Sequence, residues 1–171
     1  MNENWHGLIR ILEIQCVKDG DVLWKEENLY NIFHSEGEEF MLSAVFTGGV
    51  TNTFIPEYYY FGLDNRTTLD ATDTMTSLTQ EPSTNGYTRQ MIASTGQFTI
   101  SQVGGIYVAE SPIVSFSASG GAWGPVRNLF LTTQTDVTGY LISSVPLSQQ
   151  VTVEDGASIN VRMALGLKDC P

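Results

Sequence analysis

The chain has 171 residues, only 16% of them charged, with 19 acidic against 8 basic side chains and a formal net charge of −11. That length suits one domain able to bury roughly 70% of its unfolded surface, and a charge content below the usual ~25% points to an all-β chain dense in turns. No Lys/Arg cluster is present to displace counterions from a phosphate backbone, which argues against nucleic acid as a partner, and no apolar run reaches the ~18 residues that span a bilayer, which argues against a membrane.

The opening MNENWHGLIRILEIQC carries an acid at Glu3 and no small-residue cleavage site after an apolar run, so it does not read as a secretory signal. A soluble intracellular product with a flexible segment 1–6 is expected. From Gly7 to Val17 the chain is apolar and β-branched, and Asp19-Gly20 followed by VLWKE completes a hairpin signature. The period then changes. Ser35 and Glu38 have capping-box spacing, Phe40/Ala44 and Met41/Val45 share a helical face, and Gly48-Gly49 can close the end, so one short α-helix is expected near residues 36–46.

Residues 73–78, DTMTSL, suit a single helical turn capped by Asp73, with Met75 and Leu78 three apart. Beyond it, strands are expected at Tyr58–Leu63, Tyr87–Ala93, Gln97–Val103, Ile106–Ala109, Ile113–Ser117, Val126–Thr132, Tyr140–Val145 and Val151–Val153. Asn85-Gly86, Gly104-Gly105, Gly120-Gly121, Thr138-Gly139 and Asp155-Gly156 separate them. In the last stretch, ASINVRMALGL, Ile159, Val161, Met163, Leu165 and Leu167 alternate with small or polar residues. The whole chain, 1–171, reads as a single all-β domain, a jelly-roll-like antiparallel β-sandwich with one short helix; a barrel is the alternative closure.

Residues 57–69, EYYYFGLDNRTTL, place four consecutive aromatics before Asp-Asn-Arg. Alternation puts Tyr59, Phe61 and Leu63 on one face and Tyr58, Tyr60 and Gly62 on the other. A sheet with one solvated face reads apolar then polar, so a strand aromatic on both faces needs a second cover. The predicted helix or a neighbouring subunit would supply it.

Residues with chemical potential are few. His6 and His34 sit in no zincin or Cys/His pattern, and the nucleophile-elbow, Walker and dinucleotide-binding motifs are all missing. SASGGAWG (117–124) lacks the lysine and helix of a phosphate cradle. Glu36, Glu38 and Glu39 are explained by the positive end of a helix dipole. Asp64, Asp70 and Asp73 have the hard oxygens a calcium ion prefers but not the EF-hand spacing, so no metal and no cofactor is assigned. A glycosidase carboxylate pair needs a separation that sequence does not define. Arg66 and Arg89 are scarce cations, each expected to pair with a carboxylate, with Asp64 the obvious partner for Arg66. Cys16 and Cys170 form a disulfide only if the first and last strands lie side by side, and a reducing compartment disfavours it. Trp24 lies inside the hairpin and reads as core. Trp123, flanked by Gly121 and Gly124, reads as an exposed loop aromatic suited to an interface.

Three stretches, ENLYNIFHSEGEEFML (27–42), YYYFGLDNRTTLDATDTMTSLTQEPSTNGYTRQ (58–90) and VTVEDGASINVRMALGL (151–167), together resemble small structural proteins of tailed bacteriophages. The resemblance implies a virion component assembled in the host cytoplasm and not an enzyme, and a head decoration or cement protein of jelly-roll type fits the size. It transfers no catalytic residue. The expected partners are copies of itself, most simply as a homotrimer, and the phage major capsid protein. Trp5, Tyr58, Tyr60 and Trp123 are the candidate interface residues. Tyr58–Phe61 would supply subunit packing and the segment around Trp5 would reach the shell. A carbohydrate-binding sandwich for host attachment, with Trp123 and exposed tyrosines stacking on sugar rings, is the second reading, and a neck or tail connector the third.

Overall fold

The structure, a computed structural model, describes residues 8–47, 55–103 and 106–166. It opens with the hairpin the sequence predicts. β1 (Leu8–Lys18) and β2 (Asp21–Tyr30) pair antiparallel, and Asp19 and Gly20 join them at φ 52° and 90°, the left-handed values of a primed two-residue turn. β3 (Ile32–Phe33) leads into α1 (Ser35–Leu42), which widens into a π turn over Ser43–Thr47.

The remaining strands are β4 (Tyr58–Asp64), β5 (Gln90–Ala93), β6 (Thr99–Val103), β7 (Ile106–Glu110), β8 (Val114–Ser117), β9 (Trp123–Thr132), β10 (Leu141–Val153) and β11 (Ala157–Gly166). They form two sheets packed as a sandwich, in the orders β2-β1-β11-β7-β6 and β3-β10-β9-β4-β5, with β8 also paired to β11. Every ladder is antiparallel, so the expected all-β antiparallel sandwich is what forms. No helix among the described residues is long and apolar enough to cross a membrane.

The alternation of the last strand sets the core. Ile159, Val161 and Met163 are buried against Ile11, Ile14, Leu63, Leu129 and Val145, while Arg162 faces out. Leu167 lies outside the described residues. β1 and β11 do run side by side, with Cys16 opposite Ile159. Cys16 is nonetheless a buried free thiol, its pKa pushed up by burial; Cys170 lies outside the described residues.

Several boundaries differ from expectation for identifiable reasons. The two strands expected at 140–145 and 151–153 are one, β10, because register shifts between Pro146 and Val151 bend the strand without ending it. β5 begins at Gln90 and not at Tyr87, because Tyr87 leaves the ladder and offers its hydroxyl to the free edge of β4: Leu63 N–H donates to it at 2.7 Å. The Ser35/Glu38 capping box does not form. His34, extended at φ −86° and ψ 152°, takes the N-cap position without a side-chain cap, and the Ser35 amide donates instead to Ala71 O at 2.8 Å. Gly48 and Gly49 are outside the described residues. The turn expected at 73–78 appears as a 3-10 turn over Met75–Ser77, preceded by Thr74 and not by Asp73.

That turn answers the question of the aromatic strand. Tyr59, Phe61 and Leu63 face the main core. On the other face, a Cβ at Gly62 would overlap the Phe130 ring, so the missing side chain lets that ring reach the β4 backbone. Phe130 packs with Met75, Leu78 and Leu141 in a second, smaller core. The cover over Gly62 is therefore the segment 65–80, here termed the cap, and not α1. α1 serves the main core, where Phe40 meets Tyr59 edge-on at 6.3 Å and Tyr140 at 5.6 Å. Its Gly37 lies so close to β10 that a Cβ would overlap the Ile142 backbone.

Candidate functional site

The side chains with chemical potential converge on the cap. At its root Asp64, fully buried, accepts the Arg66 amide at 2.7 Å on one oxygen and the Gln80 amide at 2.8 Å on the other, closing the loop. Burial raises its pKa, while the two amides pull the other way. The Arg66 guanidinium pairs with Asp73, not with Asp64 as expected, at 2.8 Å, and donates also to Ser77 O at 2.9 Å. The Arg66 carbonyl accepts from Asn128 of β9 at 2.6 Å. Burial works against the Asp73 carboxylate, but Arg66 and the Asp70 amide hold its pKa below the usual range.

Arg89 meets the expectation of a carboxylate partner. Its guanidinium grips both oxygens of Glu81, at 2.8 to 3.1 Å, and lies 5.1 Å over the Phe130 ring. The Tyr87 hydroxyl donates to the same carboxylate at 2.8 Å, and burial drives its pKa far above the ordinary phenol value. On the α1 side, Glu36 accepts both the Met75 amide at 3.0 Å and the Leu141 amide at 2.8 Å, tying helix, cap and β10 together. Beside it His34 is fully buried, with Nε2 2.9 Å from Ser144 Oγ.

This arrangement holds backbone. The three aspartates considered for a cation each accept amide hydrogens, and among the described residues no three His, Cys, Asp or Glu side chains gather as a metal-binding set. No family model, curated protein or solved structure matches the chain.

A second feature stands at the α1 end of the sandwich. Leu42, Val45 and Phe46 share one helical face by spacing and are 60%, 67% and 79% exposed. Beside them an apolar cleft of about 230 Å³ opens between the sheets, lined by Phe40, Met41, Tyr59, Phe98, Ile100 and Leu165.

The residues singled out from sequence are scattered. Trp123 is the clear correction: it is 3% exposed, with Nε1 donating to Ser117 O at 3.2 Å and its ring 5.2 Å from Tyr87. It starts β9 and points into the core, because the turn at Gly120-Gly121 lies before it and not around it. Tyr58 and Tyr60 are half-buried on the outer face of β4, opposite Ala93 and the exposed Met91. His6 and Trp5 lie outside the described residues. Sequence reasoning missed the exposed end of α1: it noted the helical spacing of Met41 and Val45, whereas the i, i+3, i+4 spacing of Leu42, Val45 and Phe46 was the available signal.

Proposed function

We propose that the chain is a non-enzymatic structural protein of a phage virion, a capsid decoration or cement protein that packs against copies of itself and against the major capsid protein. The virion assignment rests on the resemblance of residues 27–42, 58–90 and 151–167. The observation that carries the packing role is the exposed face of Leu42, Val45 and Phe46 next to an apolar cleft. Exposed apolar side chains grouped on one helical face mark an interaction site, and closed symmetry multiplies a weak contact of this kind. The polar groups of the cap support the same reading, since they hold loops and one another and leave little for chemistry. The sugar-binding alternative loses Trp123, which lies in the core, and keeps only exposed tyrosines such as Tyr30 and Tyr107.

Light scattering after size-exclusion chromatography tests the packing role. The expected mass is about 56 kDa, a trimer of the 18.8 kDa chain, and Phe46→Ser should shift it to a folded monomer whose melting temperature no longer depends on protein concentration. A wild-type monomer, or an oligomer indifferent to Phe46→Ser, would overturn it. Peptides of this chain in gradient-purified virions would check the virion assignment, and their absence would refute it.

A further inference from the structure

The buried imidazole of His34 is used by nothing described so far. It sits where β3, α1, β10 and the cap meet, with backbone ties on every side: His34 N–H to Ile142 O at 3.0 Å, Glu38 N–H to His34 O at 3.0 Å and Ser35 N–H to Ala71 O at 2.8 Å. Nε2 shares one hydrogen bond with Ser144, and Nδ1 is buried with no hydrogen-bond partner. A neutral imidazole tolerates that geometry, because one nitrogen is a bare acceptor. An imidazolium does not, since both nitrogens then carry hydrogens and the charge is cut off from water.

We propose that His34 is an acid-sensitive latch: protonation of its ring releases the cap from α1 and β10 and uncovers the Phe130 and Leu141 face beneath Met75 and Leu78. This inference is independent of the virion reading. The groups facing the ring define its balance. From the cap come the carboxylates of Asp70 and Asp73, the latter shared with Arg66; from α1 comes Glu36, occupied by the Met75 and Leu141 amides; β10 contributes Ser144 and no charge. Burial lowers the His34 pKa most; the Asp73 and Asp70 charges and long hydrogen bonds to the backbone of those two residues oppose it, but none is close enough to satisfy Nδ1. The net depression fixes the sign: stability is complete above the ordinary histidine pKa and is lost as pH falls through the folded value. The cap is the element that yields, because β3 and β10 are held in a ladder, whereas the cap is held by isolated side-chain and turn bonds.

Hydrogen bonds hold the Asp70 and Asp73 pKa values down. Asp64 is raised, so its protonation would loosen the same cap from its root, and the experiment must separate the two. Hydrogen exchange of the Asn65, Asp73, Ser77 and Gln80 amides, corrected for intrinsic rates, is compared at about pH 7.5 and about pH 5 in wild type, His34→Gln and Asp64→Asn. The expected result is exchange at least about tenfold faster at the lower pH in wild type and Asp64→Asn, abolished in His34→Gln, with β9 amides protected throughout. Because the chain has only two histidines, the His34 ring is also followed by NMR in the wild-type protein. Its titration midpoint should coincide with cap opening, which keeps the test valid if His34→Gln fails to fold. A cap that stays closed while the ring titrates, or acid opening that survives His34→Gln, would overturn the latch.

Discussion

Trp123 is held by a ring stack, with Tyr87 edge-on to it and lying parallel to Phe116 at 6.0 Å. Trp123→Ala should therefore cost about 3–5 kcal/mol of stability in a urea titration, the range for emptying a large aromatic site. A cost below about 1 kcal/mol would mean the indole is not core. Sequence misplaced this residue because glycine on both sides reads as loop from composition alone, while the direction of a side chain depends on where the next strand starts. Arg66 shows the same limit. Its separation of two from Asp64 suggested an ion pair, but the carboxylate is turned under the cap by the Gln80 amide, sixteen residues away, and that closure has no local signature.

At the scale of the element, α1 was legible as a helix from its periodicity, but its seating was not. The contact is made by Gly37, whose missing side chain lets the helix backbone rest on Ile142 of β10. Gly37→Ala puts a methyl against main-chain atoms that cannot step aside, so the helix must lift, at about 1–3 kcal/mol. Hydrogen exchange should show lost protection at His34 and Glu38, whose amides bond at the helix start, with the β1–β2 hairpin unaffected; unchanged exchange would mean that β10 gives way instead. The hairpin, the aromatic strand and the last strand were all readable because their information is local, in turn residues and period-two alternation. The cap was readable only as a turn with two apolar residues, since its role as the second cover of β4 depends on Phe130, more than fifty residues further on.

For the whole molecule, a net charge of −11 sets copies against one another, whereas the packing proposed for the exposed α1 end would draw them together. Screening weakens only the first of these. Self-association measured by sedimentation should strengthen as NaCl rises from about 20 to about 300 mM, and weakening over that range would point to ion pairs as the glue. The longest-range feature of the fold is the pairing of β1 with β11, which sets Leu8 opposite Gly166. During synthesis, β1 can join β2 almost at once, but its other edge waits for the last strand to leave the ribosome. Until then the nascent chain carries an open, apolar edge on β1, the kind of edge that recruits other chains. Such a high contact order slows folding, and the emergence of β11, more than any earlier event, determines when one half of the sandwich can close.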